Sequence, residues 1–382
     1  MDAIVTLPLT AGDRRSFLTL FTPLVSQITA RASGSSLKIM LNNVGFKSDS
    51  LNIDVFTQFQ NYKKRCEDFG IFGDNVSFWH DAGEDYQEYF QNLILKVEKE
   101  GGIELCKEEM SWCPCGRVET LRSVVESLIS EERRKSLVMG GREEKCKFCG
   151  QNLNTNVEDV IILRLENILP KNIWPSIYRD EIAGTCRRVA SHPIVISRNH
   201  RHGFKARMFD REFVIDTDFR WLGYLGYLFK GRRDICIVSS VTTLNQLARV
   251  VSFSEKFLPC MNISILVHPI IRVRDGNLKL ASIDIDRYLN LCGDSKIARF
   301  FLASCVQWNR AESVLVSDEL DLIKKSFIQT IEVNQCGGNN RVPVSDLSQL
   351  INRKKLFDLL KSLRSKKQLT KEEIILKSIV SP

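Results

Sequence analysis

The sequence predicts an α/β protein built on a parallel sheet, and three observations carry that prediction. A β-branched run at residues 3–8, helical spacing that begins at Phe17 and a second apolar run at residues 37–41 make a strand, helix, strand unit. Two strands joined through a helix lie parallel in one sheet. The same alternation returns later, where an apolar run at 235–238 precedes helical periodicity over Leu244–Phe257 and another apolar run over 262–269.

Each element follows from its local pattern. The first strand ends in a turn at Thr10-Ala11-Gly12-Asp13, after which Phe17, Leu18, Leu20, Phe21, Leu24 and Val25 recur on one helical face. Ser33-Gly34-Ser35-Ser36 breaks that helix. Apolar residues at three- and four-residue steps predict amphipathic helices over 54–69 and 85–99, and Gly101-Gly102 stops the second. Between 106 and 155 the character changes to cysteine-bearing turns around a polar helix near 119–136, with Gly140-Gly141 before the second turn, as expected of an inserted module. Strands are predicted again at 160–165, 193–196 and 213–215. From Ile283 onward the chain reads as helical, interrupted by Gly337-Gly338-Asn339-Asn340 before a lysine-rich tail that includes Arg353-Lys354-Lys355 and Lys366-Lys367.

The 382 residues are 43% hydrophobic and 26% charged, enough to bury a core and to exclude a chain disordered throughout. At about 150 residues per domain this length suggests two or three units. No apolar run approaches the roughly 18 to 20 residues that a membrane-spanning helix needs. Met1-Asp2-Ala3-Ile4-Val5 lacks the basic lead and long apolar block of a secretory signal, so a cytoplasmic location is expected. The net charge of +8, from 54 Lys and Arg against 46 Asp and Glu, suits a nucleic acid or a merely well-solvated surface.

Twelve cysteines without an export signal argue for metal ligation or buried thiols rather than a disulfide framework. Cys113-Pro114-Cys115-Gly116 and Cys146-Lys147-Phe148-Cys149-Gly150 are two short-spaced pairs, each followed by glycine. Four thiolates suit tetrahedral zinc, leave no open position for water and would fold a small insert, so Cys113, Cys115, Cys146 and Cys149 are predicted to hold a structural zinc. The alternative is four unpaired or redox-active thiols, with Cys106 as a substitute ligand. Cys66, Cys186, Cys236, Cys260, Cys292, Cys305 and Cys336 read as small buried hydrophobes.

Several segments in one order resemble the catalytic half of a class I aminoacyl-tRNA synthetase of the glutamyl type, including its short glutamyl-Q relatives. Leu9-Thr10-Ala11-Gly12-Asp13-Arg14-Arg15-Ser16 stands where that family has L-H-I-G-H-A-R-T. Trp112-Cys113-Pro114-Cys115 and Glu119-Thr120-Leu121-Arg122 are similar to its zinc-binding C-x-C and the helix after it. Pro193-Ile194-Val195-Ile196-Ser197-Arg198 and Phe213-Val214-Ile215-Asp216 resemble a strand ending in arginine and the V-V-D-D stretch. Asn245-Gln246-Leu247, His268-Pro269-Ile270-Ile271 and Asp275-Gly276-Asn277-Leu278-Lys279-Leu280-Ala281-Ser282 follow the K-Q-L helix, the H-L-P-L-I strand and the D-G-x-K-L-S-K-R loop. The resemblance spans residues 3–308. It implies a Rossmann-type core in two halves, 1–105 and 156–282, a zinc-binding acceptor-stem-like insert at 106–155, and a helical C-terminal region at 283–382.

The resemblance also implies chemistry, and most of its groups are missing here. In the family, imidazoles at a helix N-terminus and a mobile lysine loop neutralise phosphate charge as ATP activates an amino acid. Thr10 and Asp13 replace both imidazoles, and Ser282 replaces the second lysine of the loop. Asp13 beside ATP phosphates would add repulsion on the order of a few kcal/mol at an effective dielectric near 20 unless Arg14 or a metal compensates. No arginine occupies residues 3–8, Asn42-Asn43-Val44-Gly45 stands for the acidic E-D-T-D turn, and residues 235–239 stand for R-G-x-D-H. The remaining candidates are Lys279, Arg14 and Asp216 for catalysis, and Gly12, Arg15 and Lys279 for holding ATP or another anion.

Other polar residues carry two readings each. Asp216 and Asp218 are pocket carboxylates or strand-end acids. His192, His200 and His202 with Arg198 and Arg201 form an anion patch or a solvated basic loop, and the lysine-rich tail is an RNA-contacting face or the outside of a surface helix. Trp79-His80 and Trp221 are expected to fill cores rather than stack bases. The reading that follows is a synthetase-like protein without ordinary aminoacylation that binds RNA of tRNA type or a protein partner. Its alternatives are a divergent ATP-dependent aminoacyl-tRNA ligase or aminoacyl-transfer enzyme, and a structural subunit of a larger assembly.

Overall fold

The computed structural model describes residues 1–10, 16–42, 55–81, 83–113, 118–120, 150–152, 154–197, 203–229, 233–258, 261–275, 280–308, 310–328 and 379. Its centre is a parallel sheet. β1 (Ala3–Thr6), β2 (Leu9–Thr10), β3 (Ser36–Asn42) and β4 (Val76–His80) come from the first part of the chain, with helices α1 (Phe21–Ser33) and α2 (Val55–Asp68) between them. α3 (Glu84–Lys99) leads to an antiparallel sheet of β5 (Ile103–Trp112), β6 (Val118–Thr120), β7 (Asn154–Leu163) and, beyond β8 (Asn172–Trp174) and α4 (Arg179–Ser191), β9 (Ile194–Val195). A two-stranded ribbon, β10 (Gly203–Met208) and β11 (Arg211–Asp216), and the short helix α5 (Tyr224–Leu228) come before the chain re-enters the main sheet as β12 (Arg233–Ser240), α6 (Leu244–Phe257) and β13 (Met261–His268).

The strand order is β4, β3, β1, β12, β13, β8, every pair parallel, with β2 continuing the β1 position alongside β3. Chain order therefore runs outward from β1 in one direction through β3 and β4, then outward in the other through β12 and β13. This is the doubly wound arrangement of a Rossmann-type core. The α/β prediction and its parallel sheet hold.

Burial explains why β1 and β12 are central. All four residues of β1 are buried, and Ile235, Cys236, Ile237 and Val238 of β12 are wholly inaccessible. Side chains alternate across the sheet, so Ile4, Cys236, Val238 and Leu266 join the core beneath α1, whereas Val5, Ile235, Ile237, Ile263 and Ile265 join the core beneath α3 and α6. α1 ends at Gly34, whose left-handed φ of 67° lets its N–H and that of Ser35 turn back onto the last carbonyls.

Two expectations are corrected. The chain beyond Ile283 is not helical throughout: helices α7 (Ile285–Cys292), α8 (Ser295–Ser304) and α9 (Glu319–Ile328) are interrupted by β15 (Glu312–Val316), which pairs in parallel with β14 (Ile270–Arg274). Ser313 and Leu315 alternate inward there, the two-residue period of a strand. The polar helix expected from residue 119 starts instead as β6, because Glu119 and Thr120 pair with Ser111 and Met110 of β5. Residues 121–149 and the lysine-rich tail lie outside the described residues. β5 and β7 stay in register from Ile103 opposite Leu163 to Trp112 opposite Asn154, so positions 106 and 155 both fall inside paired strands.

Candidate functional site

The winding direction reverses between β1 and β12, and in such sheets the ligand crevice opens at the carboxyl ends of the strands flanking that reversal. The described residues at these ends are Thr6, Asn42, His80, Ser240 and His268. None is lysine or arginine. Ser239 is buried and its Oγ lies 2.7 Å from the Oγ1 of Thr243. Ser240 caps the turn that opens α6, its Oγ accepting the Thr242 N–H at 3.3 Å. The segment that stands for R-G-x-D-H is thus a core strand, since residues 235–238 fill both layers and only its last residues reach the crevice.

His268 is the best-defined polar group here. Its Nδ1 lies 2.9 Å from the Pro269 carbonyl, which can only accept, so Nδ1 carries the proton. Nε2 is then the acceptor for the Thr22 hydroxyl at 2.8 Å. Phe21 meets the ring edge-on at 4.8 Å, and burial pushes the imidazole down to about 4. At neutral pH this histidine is an uncharged brace between β13 and α1. His80, at the end of β4, packs against Phe59 at 4.6 Å, and partial burial lowers its pKa as well.

The chain that follows each of two loop segments named from the sequence meets the other. Ser16, which follows the segment holding Gly12, Arg14 and Arg15, forms a backbone bridge with Asp284, and Phe17 stacks on Tyr288 with ring centres 4.2 Å apart. Asp275 closes the other segment: its Oδ1 accepts the N–H of Leu280 at 2.7 Å and of Ala281 at 3.0 Å, and Leu280 is fully buried. Lys279 precedes that anchored residue. Gly12, Arg14, Arg15 and Lys279 themselves lie outside the described residues, as do Asn43, Val44 and Gly45. The role of Asp275 was not anticipated, although Asp-Gly before a short loop is a turn signal that could have drawn attention to it.

Asp216 ends β11, opposite Gly203, on the ribbon rather than on the parallel sheet. The 3-10 turn Thr217–Gly223 links it to α5, where the buried Tyr224 hydroxyl donates to the Thr6 carbonyl at 3.4 Å. Trp221 is a core residue, and Trp79 packs edge-on against Tyr86 at 4.6 Å, both as expected. His192 Nδ1 lies 2.8 Å from the Arg188 carbonyl at the end of α4; Arg198, His200, Arg201 and His202 lie outside the described residues.

Among the thiols, Cys113 follows β5 and is buried, a soft donor of the kind zinc takes. Cys115, Cys146 and Cys149 lie outside the described residues. Among the described residues no three His, Cys, Asp or Glu side chains converge as a metal site. Cys106 packs against the small apolar cluster of Met110, Val160, Ile162 and Val195. Cys66, Cys186, Cys236, Cys292 and Cys305 are buried as expected, and burial raises the thiol of Cys236 to about 12, which leaves it protonated and inert.

No family model and no curated protein matches the sequence. Solved structures of Mycobacterium tuberculosis methionyl-tRNA synthetase are similar in fold. One in complex with methionyl-adenylate gives a TM-score of 0.61 at 13% identity, covering 99% of this chain and 81% of that one. A second, bound by methionyl-adenylate, gives 0.59 at 13% identity over 88% of this chain and 70% of the other. The apo form gives 0.55 at 12% identity over 100% and 86%. The chain has the class I aminoacyl-tRNA synthetase fold, and these similar structures are methionyl rather than glutamyl enzymes. Among the described residues no helix is long and apolar enough to cross a membrane.

Proposed function

We infer that this chain is a class I synthetase-fold protein that no longer activates amino acids in the ordinary way and binds RNA of tRNA type. The observation that supports this reading is the chemistry of the described strand ends, which offer hydroxyls, an amide and neutral imidazoles. Adenylation needs donors and cations where phosphate charge develops. The net charge of +8 suits a polyanionic partner. The glutamyl ancestry rests on the order of the sequence segments. The division into 1–105, 106–155, 156–282 and 283–382, with a zinc held by Cys113, Cys115, Cys146 and Cys149 in the second unit, belongs to the same reading.

The test is amino-acid-dependent exchange of pyrophosphate into ATP, run with all twenty amino acids, glutamate and methionine included. Exchange at ordinary enzymatic rates would overturn the reading. Affinity for bulk tRNA that falls steeply with salt supports it, because each phosphate contact releases counterions. No tRNA binding even at low salt would favour a structural subunit that takes a protein partner.

One observation favours a divergent ATP-dependent ligase instead. Asp275 and the Ser16 to Asp284 bridge anchor the ends of the two segments that bear Arg14, Arg15 and Lys279. On that reading these cations hold the phosphates and Asp216 serves the acceptor. Micromolar ATP affinity lost in Lys279→Ala would select it.

A further inference from the structure

We draw no further inference here: the strongest candidate, the half-buried aromatic cluster of Trp79, Tyr89 and Tyr227 where β4, α3 and α5 meet, packs ring against ring, and nothing in the structure shows what covers its outer side.

Discussion

Thr22 donates its hydroxyl to Nε2 of His268, 2.8 Å away, and so ties the first turn of α1 to the carboxyl end of β13 across the reversal point of the sheet. The bond requires a neutral ring, and its environment keeps it so.

Stability is expected to depend on pH through this histidine. The folded pKa of about 4 lies below the roughly 6.5 of an unfolded histidine, so the unfolded chain takes up the proton first as pH falls. Stability should therefore be constant for this group above about pH 6.5 and decline between there and pH 4, by at most about 3 kcal/mol. Urea unfolding at pH 7.5 and 4.5 measures the decline, and His268→Gln should remove most of it. An equal decline in that variant would assign the effect to other groups.

Removing the donor gives a second check on the same brace. Thr22→Val keeps the shape and is expected to cost about 1 to 2 kcal/mol, because Nε2 loses its buried donor. Equilibrium denaturation at pH 7.5 reads this directly, and a cost below about 0.3 kcal/mol would mean that another donor replaces the hydroxyl.

At the turn of the β10 and β11 ribbon, Phe209 and Asp210 both adopt positive φ, 49° and 58°. Two-residue hairpins of this kind favour glycine or asparagine at these places. Phe209 is retained by packing and by its N–H to Glu98 Oε1 at 3.0 Å, whereas Asp210 is exposed. Asp210→Gly is expected to stabilise the protein by about 0.5 to 1 kcal/mol. A lower melting temperature for that variant would contradict the assignment.

Asp275 is expected to act through its acceptor oxygen rather than its charge. Asp275→Ala should expose the Leu280 and Ala281 amides to exchange and cost about 1 to 2 kcal/mol, while Asp275→Asn should keep most of the protection. Equal loss in both variants would show that charge is required.

For the metal, elemental analysis is expected to give one zinc per chain, and Cys146→Ser should lower that content and destabilise residues 106–155. A zinc-free protein that is fully folded in that region would sink the assignment.

Local pattern carried much of the fold. The helix over Leu244–Phe257 was legible to the residue because its apolar positions recur at helical spacing, and the doubly buried β12 was legible as an unbroken apolar run. β4 and β15 were not, since Val76–His80 and Glu312–Val316 are short and each depends on one neighbouring strand for its hydrogen bonds. The site was legible only as motif positions. That Asp275 staples a loop, that His268 is a brace, and that the buried Arg299 of α8 donates to Gln27 Oε1 and the Gly70 carbonyl leave no trace in spacing or composition.

The amino-acid sequence by itself determined the layered α/β class and the interior of its principal strands and helices, because each depends on residue type and period along a short stretch of chain. The tertiary structure decided which strand lies beside β1, which polar groups lose water, and which distant carbonyl answers Arg299. Those outcomes depend on burial and on partners as much as 272 residues apart, as with Arg299 and Gln27, and no local pattern encodes desolvation or a contact at that range.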